Sequence, residues 1–462
     1  MRFNSYRFII GFLPVALIGF YLSGKIKSKD NVLSKLWLLA CSIVFYYFNG
    51  IKVLLILWLS IIVNYIIGRV MTDASHKKPW LVIGLLFNLG LLGYFKYTNF
   101  FLSSIASIMH VTYVTKHIIL PLGISFYTFT QMAYLIDVYR GFNKKYSLLS
   151  YGLFASFYPQ ISSGPIMDHQ KVIPQFNDSR FTEFHPDSFI TGVSLFCIGI
   201  FKKVVIADYL AGYVDPVFQN LSHTGFIGAW SAAIGFSLEL YFDFSGYSDM
   251  AYGLGRMFNV TLPVNFDAPY QSNSVRDFWR RWHISLGSWI RNYIYIPLGG
   301  NRKGEKRKYA NLLIAQTLCG LWHGAGMTFV FWGFLHGVYL IINNIWMKYG
   351  HKLPTVLARI LTFVCVVIGW VFFRASTFHD AGIMLLAMIR PMGLQSIQIE
   401  GIIPLLIVLT VIVAFVPASQ HLVERMNHKQ KFVLGGVLAG LLFAFAFLNL
   451  GNASTDFIYN RF

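Results

Sequence analysis

The chain has 462 residues, 56% of them hydrophobic and 12% charged, with a mean hydropathy of +0.56. A soluble domain carries about 25% charged residues, so half the charge needed to cover a water-facing surface is missing, which excludes a soluble enzyme and a disordered chain. The excess of 38 Lys and Arg over 19 Asp and Glu reads, in a membrane protein, as basic cytoplasmic loops, and nucleic acid is not expected as a partner.

At about 20 apolar residues per span the length accommodates roughly ten to thirteen helices, and the long unbroken apolar stretches exclude an outer-membrane barrel. Candidate spans fall at 7–24, 34–49, 52–68, 79–95, 119–138, 188–206, 226–247, 309–325, 327–346, 355–373, 401–418 and 432–450. The expected fold is an all-α polytopic membrane protein with about 11–12 transmembrane helices plus re-entrant or interfacial elements. It reads as one integral-membrane domain over 1–462, with N-terminal helices at 1–150, a core at 151–350 and C-terminal helices at 351–462. The first apolar run ends in Ser23-Gly24-Lys25 without a small-x-small site, so no cleavable signal is expected. Cys41, Cys197, Cys319 and Cys365 all sit in apolar stretches without metal-ligand spacing, so neither a disulfide framework nor a bound metal is expected.

Basic stretches lie at Lys25, Lys27, Lys29 and Lys35, at Arg69, Lys77 and Lys78, and at Arg140, Lys144 and Lys145. The second and third spans are joined only by Asn49-Gly50-Ile51-Lys52, so their far ends, which carry the first two stretches, are assigned to the cytoplasm and the N-terminus to the outside. Arg425, Lys429 and Lys431 place the C-terminus outside by the same rule. Tyr151 to Met167 is apolar but broken by Pro159 and Ser162-Ser163-Gly164-Pro165. Such backbone is tolerated at membrane depth only inside protein or beside a wet cavity, so it reads as a re-entrant or interfacial element, with a surface loop as the alternative. Lys202-Lys203 reads as a helix end whose long side chains snorkel to the interface. No fixed-period repeat is visible, which weakens an inverted-repeat transporter reading.

Between Glu239 and Gly337 polar and titratable residues appear among apolar ones, and ionisable groups inside a membrane are functional candidates. Tyr241-Phe242-Asp243-Phe244-Ser245-Gly246-Tyr247-Ser248-Asp249 closes a long apolar run. Asp243 and Asp249, six residues apart, are off one helix face and suit capping, pairing with Arg256, or direct chemistry. Arg276 to Leu286, continuing through Trp289, Arg291 and Tyr293 to Gly300, interleaves arginines with tryptophans, the composition of an interfacial amphipathic helix. With Arg302 to Lys308 it holds nine Lys/Arg and two acids over 276–308. Two readings stay open: contact with anionic lipid, or some of these cations gripping the phosphates of a soluble donor such as coenzyme A.

Cys319-Gly320-Leu321-Trp322-His323-Gly324-Ala325-Gly326 ends the next span. At 1.5 Å per residue from the basic loop, His323 lies about 20 Å along it, flanked by glycines that admit close approach. His336, thirteen residues on in Phe334-Leu335-His336-Gly337, is placed to face the same cavity. A desolvated neutral imidazole suits general-base work. Haem ligation by paired histidines is the competing chemistry, and the sequence supplies no redox partner for it.

Together these motifs resemble the membrane-bound O-acyltransferase (MBOAT) family, closest to its bacterial alginate O-acetylation and teichoic acid D-alanyl transfer proteins. The matching residues are Tyr241 to Gly253, Phe278-Trp279-Arg280-Arg281-Trp282-His283-Ile284-Ser285-Leu286, Tyr295-Ile296-Pro297-Leu298-Gly299-Gly300, Trp322-His323-Gly324 and Trp332-Gly333 through His336-Gly337. Pro121-Leu122-Gly123-Ile124-Ser125-Phe126, Gly164-Pro165-Ile166 and Phe457-Ile458-Tyr459 match as well. The terminus departs, reading Asn460-Arg461-Phe462 where a more aromatic or Gln-containing ending is common. The resemblance implies a ring of helices around a central tunnel, His323 as the active-site histidine and His283 as a second motif histidine. It also implies acetyl transfer from a cytoplasmic thioester, most simply acetyl-CoA as co-substrate rather than a resident cofactor, to an extracytoplasmic hydroxyl. Here His283 orients or binds the donor near the entrance, Arg280, Arg281 and Arg291 anchor it, and Trp322, His336, Ser245, Asp243 and Asp249 support the tunnel. An extracytoplasmic glycan or acyltransferase partner is expected by resemblance. D-alanyl transfer from a carrier protein is the alternative within the family, and a transporter or flippase with histidine proton relays the one outside it.

Overall fold

The computed structural model describes every residue except Lys27, 222–223, 351–352, 391–400, Asn427, Lys431, 434–435, 452–456 and 459–462. Lys27 and Lys431 of the basic stretches, Tyr459 of the C-terminal motif and the departing Asn460-Arg461-Phe462 therefore lie outside the described residues. Among the described residues there are helices and no strand. In chain order the α-helices are α1 (Leu13–Lys25), α2 (Val32–Tyr47), α3 (Ile51–Asp73), α4 (Lys77–Leu92), α5 (Thr98–Ile108), α6 (Ile124–Tyr139), α7 (Leu148–Ser156), α8 (His169–Val172), α9 (Pro186–Phe201) and α10 (Asp208–Gln219). They continue as α11 (Phe226–Met257), α12 (Val275–Arg281), α13 (Ile284–Ile290), α14 (Gly304–His323), α15 (Met327–Lys348), α16 (Thr355–Arg374), α17 (Phe378–Ile389), α18 (Ile403–Phe415), α19 (Ser419–Arg425), α20 (His428–Gln430) and α21 (Gly436–Asn449).

Among the described residues, six stretches are long and apolar enough to cross a membrane: Arg7–Lys25, Ile51–Asp73, Lys77–Ile108, Pro186–Gln219, Met327–Lys348 and Thr355–Arg374. A seventh arises if α18 and α19, bent by 56°, form one broken span. The expected 11–12 spans include helices of other kinds. α2 and α6 have 16 residues each, about 24 Å at the α-helical rise, and α14 opens on the charged run Glu305 to Lys308.

The chain divides into two compact units, Met1–Cys197 with Met250–Pro263 and Met426–Gly440, and Ile198–Asp249 with Val264–Arg425 and Leu441–Phe462. In the first, α1 packs on α2, α2 on α7, and α3 and α4 on α6. α6 is buried along nearly its whole length, and its neighbours pair their polar groups internally. Asn64 and Asn88 exchange amide hydrogen bonds of 3.2 and 2.6 Å, and Gln131 Nε2 donates to Ser60 Oγ at 3.0 Å, as apolar surroundings require. Gly123, which opens α6, has φ +72°, and a Cβ there would lie 2.0 Å from the Ile161 carbonyl oxygen. Only glycine fits that position. Ile161 belongs to the broken stretch Tyr151 to Met167, whose Tyr151, Phe157, Tyr158, Ile161, Ser163 and Met167 are all buried. Burial removes the surface-loop alternative for that stretch.

The second unit is built on three tryptophans, Trp282, Trp332 and Trp370, packed with Phe244, Phe266, Tyr270 and Phe278. Trp332 and Trp370 stack at 5.4 Å. The Arg/Trp segment departs from the expected interfacial helix. It forms two seven-residue helices, α12 and α13, broken at Trp282-His283; Trp282 and Trp289 are buried, and the Trp282 ring completes the aromatic core. α14 and α15 form a hairpin joined only by Gly324-Ala325-Gly326. Close crossing is forced by Gly333, whose Cβ would lie 2.2 Å from the Gln316 carbonyl oxygen.

Lys202-Lys203 also departs from expectation. No helix ends there: Lys202–Ala207 is a π turn linking α9 directly to α10, and Lys203 is 1% exposed. Its ammonium pairs with Asp208, at 2.7 Å, and with Asp243. Lys202 pairs with Asp249 at 2.7 Å and reaches Ser419 at 3.0 Å. Carboxylates on α10 and α11 hold these cations inside the protein, so neither has reason to snorkel.

Candidate functional site

His323 is the last residue of α14 and 2% exposed. The hairpin turns immediately after it, so the ring is held by neighbours on several elements: Trp322 at 5.0 Å, Trp332 of α15 at 5.1 Å and Phe373 of α16 at 5.4 Å between centroids. The His283 ring lies 6.2 Å away. His283 sits at the break between α12 and α13 with φ +43°, a left-handed conformation uncommon outside glycine that marks a local constraint. It is fully buried, edge-on to Phe244 at 4.8 Å and 5.9 Å from Trp322.

That placement brings the two motif histidines together. The α12–α13 break carries His283 beside His323, and burial pushes its imidazole down to about 3, so it is neutral at physiological pH. Its Nδ1 is 3.1 Å from Asn265 Oδ1. Asn265 also holds the break through its backbone oxygen, which accepts from Ile284 N–H at 3.0 Å.

His336 has a different neighbourhood. Its Nδ1 accepts from Trp279 Nε1–H at 3.2 Å, and its ring lies 4.9 Å from Trp332 and 5.6 Å from Tyr339. Trp332 thus touches both His336 and His323. Tyr339 in turn lines a cavity of ≈ 610 Å³ with Trp346, Asn343 and Cys365.

Asp243 and Asp249 both project from the body of α11, and their cations are Lys203 and Lys202, which corrects the suggested pairing with Arg256. Arg256 Nη1 instead donates to Thr261 at 3.2 Å. Asp249 further accepts from Ser419 and Gln420, and Asp243 from the Ile458 backbone N–H at 3.0 Å. Ser245 Oγ lies 3.5 Å from Lys202 Nζ. These groups form an internal electrostatic brace; the same helix reaches the histidines through Phe244. Of the three arginines expected to meet a donor, Arg281 bonds Asp277 at 3.1 Å and the Asp267 carbonyl at 3.3 Å, whereas Arg280 and Arg291 are exposed.

Asn265, Phe373 and the internal pairing of the two lysines escape motif-level reading. The lysines carried a usable signal, two adjacent cations in an apolar run; a lone Asn265 between Val264 and Phe266 did not.

A multi-pass all-α membrane protein with two buried histidine rings side by side is the class that fold and site define. The model of MBOAT, the membrane-bound O-acyltransferase family, matches residues 43–379. The chain belongs to this family and is an acyltransferase, which sets aside the transporter reading. It is 39% identical to a peptidoglycan O-acetyltransferase of Helicobacter pylori over 431 residues, covering 86% of this chain and 81% of the relative. It is 42% identical to a probable alginate O-acetylase of Pseudomonas aeruginosa, covering 84% and 75% respectively. A teichoic acid D-alanyltransferase of Bacillus subtilis is 30% identical over 56% of this chain and 69% of its own length.

Proposed function

We propose that the protein moves an acetyl group from a cytoplasmic thioester, acetyl-CoA, to a hydroxyl of an extracytoplasmic cell-envelope polymer. The observation that carries this is the aromatic-walled pair His323 and His283, 6.2 Å apart, at the end of a hairpin that starts in a basic loop. The acceptor oxygen attacks the thioester carbonyl while His323 takes its proton. The carbon–sulfur bond breaks, the ester stays on the acceptor, and coenzyme A leaves as a thiolate, which needs little acid assistance. Enclosure by Trp322, Trp332 and Phe373 keeps water from competing for the thioester. Arg280 and Arg291 meet the donor phosphates from the exposed basic segment, the N- and C-termini lie outside, and a separate extracytoplasmic acyltransferase is a natural partner.

The relatives named for O-acetylation, matched over most of their length, favour acetyl over D-alanyl transfer. Binding of free acetyl-CoA separates the two readings, because a carrier-protein docking face has no nucleotide pocket. Purified protein is expected to gain thermal stability with acetyl-CoA. The Arg280→Ala/Arg291→Ala variant is expected to raise the donor KM about five- to tenfold with kcat unchanged, the signature of lost uniform binding. A melting curve indifferent to acetyl-CoA, with turnover only on a carrier-bound acyl group, overturns the acetyl-CoA reading.

A further inference from the structure

The hydrogen bonds around Asn265 define which nitrogen of His283 is basic. Ser285 backbone N–H can only donate, and it points at Asn265 Oδ1 at 3.2 Å, so the atom there is the amide oxygen and not the amide nitrogen. Ser285 Oγ reaches the same oxygen at 2.9 Å. On the other branch, Asn265 Nδ2 faces Ser248 Oγ at 3.5 Å. An amide oxygen cannot donate, so a His283 Nδ1 at 3.1 Å from it carries a proton; two lone pairs at that distance repel.

We propose that Asn265 is a positioning residue that locks the His283 imidazole, 6.2 Å from the His323 ring, in the tautomer with the proton on Nδ1, leaving Nε2 as its basic nitrogen. This deepens the proposed function, resting on its placement of His283 in the acyl-transfer site. An asparagine achieves what a carboxylate in that place would not. It orients the ring without a charge that would hold the imidazole as a cation, so His283 stays an acceptor for a hydroxyl or for its histidine neighbour. The same oxygen, with the Asn265 backbone carbonyl bonded to Ile284 N–H at 3.0 Å, holds the left-handed backbone of His283 in place.

Full-length protein labelled with ¹⁵N-histidine in lipid bilayers reports the tautomer directly, with the His283 signal identified by its loss in His283→Gln. The expected signal is a protonated Nδ1, replaced by a tautomer mixture in Asn265→Leu. In acetyl-CoA turnover, Asn265→Leu is expected to lower kcat by about 10²- to 10⁴-fold, the range of general acid–base assistance, with donor KM unchanged. Asn265→Leu added to His283→Ala is expected to cost less than about threefold more, since the two act as a unit. Asn265→Asp keeps the acceptor oxygen but raises the imidazole pKa, so it is expected to move the pH–rate profile to higher pH and to come within about tenfold of wild type only there, where a general packing defect would not be rescued by pH. A protonated Nε2 in the wild type, a fully active Asn265→Leu, or losses that multiply in the double variant overturns the proposal. Should Asn265→Leu fail to fold, the wild-type tautomer and Asn265→Asp decide it. The functional reading fails separately, through an active His323→Ala, which leaves the tautomer signal untouched.

Discussion

His323→Ala is expected to abolish acyl transfer, with kcat reduced by about 10²- to 10⁴-fold or more if no other base substitutes, while the protein still reaches the membrane in normal amount. The ring is enclosed by Trp322, Trp332 and Phe373, so truncation opens a cavity whose stability cost has to be separated from lost chemistry. His323→Gln, which keeps most of the volume, is expected to be as inactive as the alanine variant. His336→Gln is the internal contrast. A glutamine oxygen can still accept from Trp279, and the ring it replaces meets His323 through intervening aromatic rings, Trp332 among them, so activity within about tenfold of wild type is expected, with any loss arising through packing. Acetyl content of the envelope polymer, normalised to protein in the membrane fraction, measures all three. An acetylating His323→Gln would remove the histidine from the chemistry.

The second large effect concerns stability. Lys203→Met is expected to destabilise the second unit by about 3–5 kcal/mol, because removing one partner of a buried ion pair leaves charge without compensation. Here two carboxylates, Asp208 and Asp243, would face each other around an apolar side chain. The triple variant Lys203→Met/Asp208→Asn/Asp243→Asn removes the stranded charge and is expected to recover most of the loss. Thermal unfolding in a mild detergent, followed by tryptophan fluorescence, separates the two, since Trp282, Trp332 and Trp370 report on the core that the brace adjoins. Equal melting temperatures for wild type and Lys203→Met would mean that the ion pair is energetically idle.

Much of the site was legible because its signals are local. Trp322-His323-Gly324 marks a polar group at a helix end, the glycines mark a close crossing, and the basic loop before α14 marks the end from which the helix starts. The remainder depends on which helices meet. Lys202 and Asp249 are 47 residues apart, and no local periodicity encodes their pairing, so two internal cations read as an interfacial helix end. The Arg/Trp segment failed for a related reason. A tryptophan beside an arginine suits a lipid headgroup region and an aromatic core equally well, and only Trp332 and Trp370, from later in the chain, decide for the core. His283 comes to stand beside His323 through one left-handed residue, a backbone state that its side chain does not advertise.

The π turn at Lys202–Ala207 has its own bearing on how the chain tolerates change. A π turn holds more residues per turn than an α-helix, and Lys203 reaches Asp208 from within it. Losing one residue from this turn would return it to α-helical geometry and leave Lys203 and Asp208 four apart, still on one face, whereas gaining one would advance everything downstream by about 100° about the helix axis and swing Asp208 away from its ammonium. Spacing at this place is therefore a structural quantity in its own right: point substitutions here act one charge at a time, whereas a single insertion would dismantle the whole arrangement at once.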